Sequence, residues 1–484
     1  MIKSIQQFQT KGVENLEKIF MNYSDDLTKV AEMIQGVTSS VVELGCSMIA
    51  EEWEFYDSVI RKNKHLRKDW EIIRRDQVSR LTSLGEVTYS RTYFKNKKTG
   101  ERSYLLDSLM GFAPKERLTE DAVARILDEA ADSSYRKGGI NVSISEHTVS
   151  KEAVMDKIHP LKFPKLEVPG DKKCVTTLYI DADEDHVSLQ YLERKGDIRK
   201  PRLNTFMPKL VYVYEGVNAE NDRHELINLK CFGGGYQGTK GVEALWKEVY
   251  DYIDQAYDED SIKRIYINGD GAEWIQTGAK YHSKARFVLD KFHMHKYIIG
   301  ATSHLMDSAS EVRSELWKAI NGRHKEQAEK VFDKIIAVTS TDSKIKAVET
   351  SRNYIMGHWR AIMNGVNNRK DNIHCSAEGH VSHIFSDRLS SRPLGWSVVG
   401  ADKVAQLRVY KKNKRDMLEL VRYQKQNLPL AAGAEEVICS AEEVLKSERR
   451  NRRELGAIAD LPIYDIPYPQ IKKIAAIKDH IWGL

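Results

Sequence analysis

Two aspartates close short apolar runs that read as buried strands: Asp183 ends Leu178-Tyr-Ile-Asp-Ala-Asp183, and Asp270 ends Arg264-Ile-Tyr-Ile-Asn-Gly-Asp270. A third acid, Glu378, lies in Ala377-Glu-Gly-His-Val-Ser-His383. Carboxylates leaving adjacent strand ends can share hard divalent cations such as Mg²⁺, which keep some waters and take further oxygens from a phosphate. Two such ions about 4 Å apart activate a water or a 3′-hydroxyl and stabilise the leaving oxygen of an in-line displacement. The chemistry within reach of this set is phosphoryl transfer, and with it the cutting and joining of nucleic acid. Each aspartate taken singly also suits the capping of the next turn. Alternation places Asp181, Asp183 and Asp185 on one face, so spacing leaves the first ligand open among them, with Asp183 favoured.

A second cluster, Asp290 and His293, forms a D-x-x-H pair at a strand-to-helix junction, readable as a cap with a satisfied histidine or as support for the acids. His374, Cys375, His380 and His383 surround Glu378 but lack a second ligand pair for zinc, so a polar helix start is the better reading.

The elements that must position these groups follow from pattern. Residues 1–75 carry helix-like apolar spacing, with Ile5, Phe8, Val13, Leu16 and Phe20 first and Val42, Met48 and Trp53 later. Near Leu84-Gly85 the period becomes two, which predicts a hairpin turning at Asn96-Lys-Lys-Thr-Gly100 and returning through Tyr104-Leu-Leu106. Helical pattern over 118–159, broken at Val142–Val149, suggests a helix-turn-helix. Prolines 160, 164 and 169 mark a boundary near 165. Strands at 174–183, 186–192 and 209–216 predict an antiparallel meander, followed by a helix at 241–257, a strand at 263–268, a strand at 286–290 and a helical stretch over 300–372. The fold class is mixed α/β.

With 484 residues, 41% hydrophobic, the chain can bury several cores. No apolar run of 18 residues and no basic-plus-apolar start occurs, so neither a membrane span nor a signal peptide is expected, and a cytoplasmic protein is. Five scattered cysteines without C-x-x-C spacing argue for reduced thiols. The net charge of +5 is local, because residues 61–102 hold 13 Lys and Arg against 5 Asp and Glu. Arg80, Arg91, Lys95, Lys97 and Lys98 lie there among aromatics, as phosphate contacts would. A second basic run occupies 449–453.

The ordered motifs Gly85-Glu-Val-Thr-Tyr-Ser-Arg91, Ile180-Asp-Ala-Asp-Glu-Asp-His-Val187, Gly269-Asp-Gly-Ala-Glu-Trp-Ile275, Leu289-Asp-Lys-Phe-His293, Glu378-Gly-His-Val-Ser-His383 and Ser390-Ser-Arg-Pro-Leu-Gly-Trp396 resemble insertion-sequence transposases of the ISLre-two family, and more distantly Mutator-like DDE transposases. The resemblance covers about residues 80–408. It implies an RNase H-like catalytic domain with an all-helical insertion, behind an N-terminal region binding DNA through a hairpin and helix-turn-helix. The implied division is 1–75, 76–165, 166–299, 300–372, 373–400 and 401–484. It implies Asp183, Asp270 and Glu378 as metal ligands for Mg²⁺, with Mn²⁺ as a substitute, supported by Asp290, His293 and Asp181, and Arg392 as a further phosphate contact. The implied partners are double-stranded DNA, both terminal inverted repeats and target, and a second copy of the chain, with the protein associated with the nucleoid. The alternatives are a domesticated DNA-binding protein and a haloacid-dehalogenase-like phosphatase, whose D-x-D and G-D-G motifs are superficially similar.

Overall fold

The computed structural model describes residues 3–168, 170–190, 205–218, 225–369, 375–392 and 394–426. Pro169, His374, Cys439, the basic run 449–453, the end of the 186–192 strand and most of the 401–484 region lie outside these. The described chain forms two compact units, one of residues 3–126, 136–150 and 425–426, the other of Leu127–Tyr135 and Lys151–Gln424. The division falls at Ser150, ahead of the proline-rich stretch. Ten residues lie between α6 (Tyr135–Ile140) and α7 (Lys151–Ile158), longer than the short turn a helix-turn-helix uses.

The first unit begins with α1 (Lys3–Gln7), α2 (Val13–Asp25) and α3 (Val30–Lys62). Charges interrupt every apolar run in α3, but its mean hydropathy over an 18-residue window is 1.3, so by length and composition it is long and apolar enough to cross a membrane, contrary to the expectation from consecutive residues. Many core helices share this property. Within this unit α3 packs on β2 (Glu86–Asn96), placing Trp53 edge-on to Tyr89 at 4.8 Å. Buried Asp57 fixes the register of helix on strand by accepting from the Thr92 N–H and hydroxyl, both at 2.7 Å.

β2 pairs on one side with β1 (Trp70–Leu81), which was not expected, and on the other with the two-residue β3 (Arg102–Ser103), so the hairpin at 96–100 forms but its return gives way to α4 (Leu105–Leu109) where strand was expected. The sequence hid β1 because half of it is exposed and a register shift at Ile72/Arg74 breaks the alternation. This register turns Arg80 and Arg91 inward. Arg80 is 2% exposed and donates to Asp107 at 2.6 Å; Arg91 pairs with the same carboxylate and lies 3.6 Å over the Tyr104 ring. Both guanidiniums hold the unit together and are withdrawn from the candidate phosphate contacts. Lys95 faces Glu71 at 3.8 Å and Lys98 faces Asp69 at 3.0 Å, while Lys97 is exposed.

The second unit is built on a five-stranded sheet. Its strands are β4 (Thr177–Glu184), β7 (Lys209–Tyr214), β10 (Lys230–Gly234), β11 (Arg264–Gly269) and β12 (Ala285–Leu289), in the order β10-β7-β4-β11-β12. The pairs β10/β7 and β7/β4 are antiparallel, and β4/β11 and β11/β12 parallel. The meander is present, but its members differ from expectation: β5 (Val187–Ser188) pairs with β6 (Thr205–Phe206) in a ladder of its own, β8 (Gly216–Asn218) with β9 (Glu225–Ile227) in another, and the third sheet strand is β10. Its Gly233 and Gly234 obscured it. A Cβ at Gly233 would lie 2.5 Å from the Lys209 carbonyl and 3.3 Å from Val409 of α17 (Val398–Lys412), so that helix can lie against β10 only over glycine. Helix α17 therefore belongs to the sheet unit, together with α18 (Met417–Gln426), and is not part of a separate basic tail.

Leu178, Ile180 and Ala182 of β4 point to one face, against α8 (Gly238–Ala256), whose Leu245, Trp246, Val249, Ile253 and Ala256 recur at helical spacing. After α10 (Lys291–Thr302), the stretch expected to be helical over 300–372 forms α11 (Ala309–Asn321), α12 (Lys325–Val338), α13 (Asp342–Gly357) and α14 (Trp359–Asn367). Its Leu316, Phe332, Val348 and Ile355 join the same apolar cluster as the sheet, so it is an extension of the core rather than an appended domain.

Replacing Asp107 by Ala leaves two guanidiniums facing each other without an anion. Loss of about 3–5 kcal/mol is expected, read from the urea midpoint, with Lys97→Ala as an unchanged control.

Candidate active site

The parallel register brings the acids together. Asn268 pairs with Asp181, so the next two positions set Asp270 beside Asp183 at the ends of β11 and β4. Gly269 pairs with Leu289, and the Asp290 N–H donates to the Gly269 carbonyl at 2.9 Å, which adds Asp290 to the same row. Both motif aspartates are 87 residues from their partners (181 to 268, 183 to 270), and this equal offset is the sequence signal of the register.

Asp181 and Asp183 have different surroundings. Asp181 is fully buried; its Oδ2 accepts from the Tyr212 hydroxyl and the Ser376 N–H, each at 2.9 Å, and its Oδ1 from Asn268 Nδ2 at 2.8 Å and the Tyr214 hydroxyl at 3.2 Å. Burial raises its pKa against these donors. With its lone pairs taken, Asp181 joins three strands and the start of α15 (Ala377–Val381), the helix that carries Glu378. Asp185 is likewise committed, accepting the Ser390 hydroxyl at 2.8 Å. Asp183 is only partly covered and uses one oxygen for the Glu184 N–H at 2.8 Å.

Burial first, and then the negative charges of Asp270 and Glu378, push the Asp183 carboxyl up to about 7, while the Glu184 N–H and His293 act the other way. Asp183, Asp270, Glu378 and His293 therefore share one electrostatic site. Asp290 does two things at once: Oδ1 caps α10 through the Phe292 N–H at 3.1 Å, and Oδ2 meets His293 Nδ1 at 3.1 Å. That bond, with Asp270 and Asp183 nearby, holds the His293 imidazole above its usual pKa despite burial.

The turn after Asp270 is held tightly. Asp270 Oδ1 accepts from the Ala272 N–H at 2.9 Å, and Gly271 sits at φ +93°, where a Cβ would lie 2.7 Å from His358 Nε2. Conformation and contact both demand glycine there. The Tyr354 hydroxyl donates to the Asp270 carbonyl, and Gln276 donates to the Gly271 carbonyl at 2.7 Å. Tyr212, Tyr214, Asn268, Ser376, Tyr354 and His358 were not singled out from the sequence. Only Asn268 carried a signal, its place opposite Asp181.

Among the described residues no three His, Cys, Asp or Glu side chains stand close enough to close round one cation. The acids nevertheless sense one another's charge, and the donors are all hard carboxylate oxygens without a lysine or arginine ion pair among them, so their chemistry fits a hard cation that completes its shell from water and phosphate. Zinc is not favoured by the groups near Glu378. Burial and neighbouring Asp181 push the Cys375 thiol well up, His380 lies on Tyr212 at 4.5 Å between centroids, and His383 faces Asp387 at 3.5 Å. Arg392 is exposed.

The fold and site define a mixed α/β protein with a carboxylate cluster at parallel strand ends. The chain belongs to the UPF0236 family, an uncharacterised protein family whose profile matches residues 23–427. A UPF0236 protein of Caldanaerobacter subterraneus subsp. tengcongensis is 35% identical over 418 residues, spanning 86% of this chain and 85% of its own. Another from the same organism is 34% identical over 421 residues with the same coverage. Among solved structures, the Drosophila P element transposase strand transfer complex overlays with a TM-score of 0.23 at 11% identity, over 65% of this chain and 82% of that one.

A raised carboxyl pKa sets the sign of a pH effect. Between about pH 4 and pH 7 the folded chain binds more protons at Asp183 than the unfolded chain, so this group's stability is full below pH 4 and lost as pH rises through 7. Asp183→Asn, which mimics the protonated form, is expected to stabilise the protein at pH 8 by on the order of 1–4 kcal/mol and to be near neutral at pH 4, in thermal unfolding with EDTA. Gly271→Ala is expected to destabilise by about 1–3 kcal/mol in the same assay.

Proposed function

We propose that this chain is a DNA transposase that cleaves the terminal inverted repeats of its own element and joins the freed 3′-ends to target DNA. The observation that carries the reading is the convergence of Asp183, Asp270 and Glu378 on one site, where burial first and then the charges of Asp270 and Glu378 raise the Asp183 pKa to about 7. The strand order, three antiparallel strands followed by two parallel ones with the first strand central, is the arrangement an RNase H-like reading requires. The helical run between Asp290 and Glu378 supports it as well. Two relatives carry names that group four and eleven designations in one organism, as a sequence present in many copies would.

In this reading Asp183, Asp270 and Glu378 hold Mg²⁺ or Mn²⁺. When bound, the ions supply charge stabilisation to an in-line displacement at phosphorus and lower the pKa of the attacking water or 3′-hydroxyl. The chain's own residues do the rest. Asp181 and Ser376 anchor the start of the helix that brings Glu378 to the strand ends, and His293, its protonated form favoured by the bond to Asp290, stands beside the acids as a contact for a phosphate oxygen. Exposed Lys97 and Arg392 are the remaining candidates for the DNA backbone, with Lys95 and Lys98 reaching it only by leaving their carboxylates. The phosphatase alternative needs the D-x-D aspartates open to a small substrate, whereas Asp181 is buried beneath four donors.

The test uses purified full-length protein, DNA carrying the inverted repeats of its element, and Mg²⁺. Wild type is expected to nick the ends, and Asp270→Ala to lose at least about 100-fold in rate while still shifting the DNA in a gel, in keeping with loss of a metal ligand. Equal cleavage by both proteins sinks the assignment.

A further inference from the structure

The helical run does more than separate Asp290 from Glu378. Two of its residues grip the turn on which Asp270 stands. Tyr354, on the last turns of α13, donates its hydroxyl to the Asp270 backbone carbonyl, and its ring stacks on Tyr297 of α10 with centroids 3.7 Å apart. Burial, with the charge of Asp270 adding to it, raises the phenol pKa, so the group stays a donor. His358, at the junction of α13 and α14, lies where a side chain on residue 271 would be.

The ring nitrogens of His358 face two carbonyls. Nδ1 is 2.8 Å from the Tyr354 carbonyl, an acceptor only, so Nδ1 carries a hydrogen. Nε2 is 3.2 Å from the Gly271 carbonyl, the same oxygen that accepts from Gln276 Nε2 at 2.7 Å, so both side chains close on that carbonyl. Two consecutive carbonyls, those of Asp270 and Gly271, are thus held by groups from outside the strand. Their directions fix the peptide planes of the turn, and the Asp270 carboxylate, bonded to its own Ala272 N–H, turns with those planes.

We propose that Tyr354 and His358 are positioning residues for Asp270, and that the helical insertion is the device that aims the second carboxylate of the site. This rests on the catalytic reading of Asp270 given above. A carboxylate without such support would swing away from Asp183 to relieve like-charge repulsion, because no lysine or arginine among the described residues pairs with it there. The inference assigns a job to the insertion that its apolar packing alone does not require, since Tyr354 and His358 contribute polar atoms where hydrophobic residues would fill the space.

The experiment compares full-length wild type, Tyr354→Phe, His358→Ala and His358→Asn. The readouts are Mn²⁺ titration of end cleavage, the cleavage rate at saturating Mn²⁺, gel-shift affinity for end DNA in EDTA, and the thermal midpoint. Tyr354→Phe keeps the stack on Tyr297 and loses only the hydroxyl. Its expected signature is a 10- to 100-fold loss, as higher Mn²⁺ demand or slower cleavage, with DNA affinity unchanged. His358→Ala is expected to behave alike, and His358→Asn, which can still donate toward the Tyr354 carbonyl, to recover part of the loss. A purely structural role would lower the thermal midpoint and leave the Mn²⁺ dependence of the folded fraction untouched, which overturns the proposal. Cleavage by Tyr354→Phe and His358→Ala at the wild-type Mn²⁺ midpoint and rate also overturns it while leaving the transposase reading intact. Absence of cleavage by wild type removes that reading and this inference together. If Tyr354→Phe does not fold, the two His358 variants decide.

Discussion

A single buried carboxylate organises the second unit of this protein. Asp181 sits at the middle of the central strand with no access to water, and a carboxyl group there is tolerable only because donors from β7, β11 and the start of α15 surround it. The same four bonds that satisfy its oxygens set the position of everything around it. They lock β7 and β11 to β4 in register, and they dock a helix that begins 195 residues further along the chain. Glu378 reaches the site because Ser376 is tied to Asp181.

The acids one step further along the strands live under the opposite condition. Asp183 is covered enough to lose hydration, faces Asp270 and Glu378, and has no lysine or arginine partner among the described residues, so its proton is held to about pH 7. Such a site stores unfavourable charge that a bound cation would relieve, a pattern common where a protein trades stability for chemistry. The surrounding architecture resists the repulsion: β4, β11 and β12 present their ends in one row, Asp290 caps a helix while orienting His293, and Tyr354 with His358 pins the turn after Asp270. The first unit handles charge in reverse, with Asp107 neutralising Arg80 and Arg91 inside the fold.

That reversal shows why a basic segment is a weak guide to a basic surface. Along the chain Arg80 and Arg91 look like neighbours of Lys97 and Lys98, yet the β1/β2 register turns the arginines into the core and leaves the lysines at a turn. The strand β1 was illegible because an exposed, charged edge with a register shift has no clean period of two, and β10 because its two glycines read as a break. By contrast β4, β7 and β11 are apolar enough on both faces to announce themselves, and Asp290 with His293 could be placed at a strand-to-helix junction from local pattern alone.

What the sequence determined by itself was the set of acids and the strands that end in them, because strand character and a terminal carboxylate are local properties carried by five or six consecutive residues. It also determined the helical nature of the described part of the 300–372 stretch, since 3.6-residue periodicity needs no partner to be seen. The tertiary structure decided which aspartate is structural and which faces the site: Asp181 and Asp183 share a strand face and a motif, and only the donors brought by β7, β11 and Ser376 distinguish them. It decided as well that Tyr354 and His358 touch the Asp270 turn, because a hydrogen bond across 84 residues of sequence leaves no trace in local pattern and arises only when α13 packs against α10.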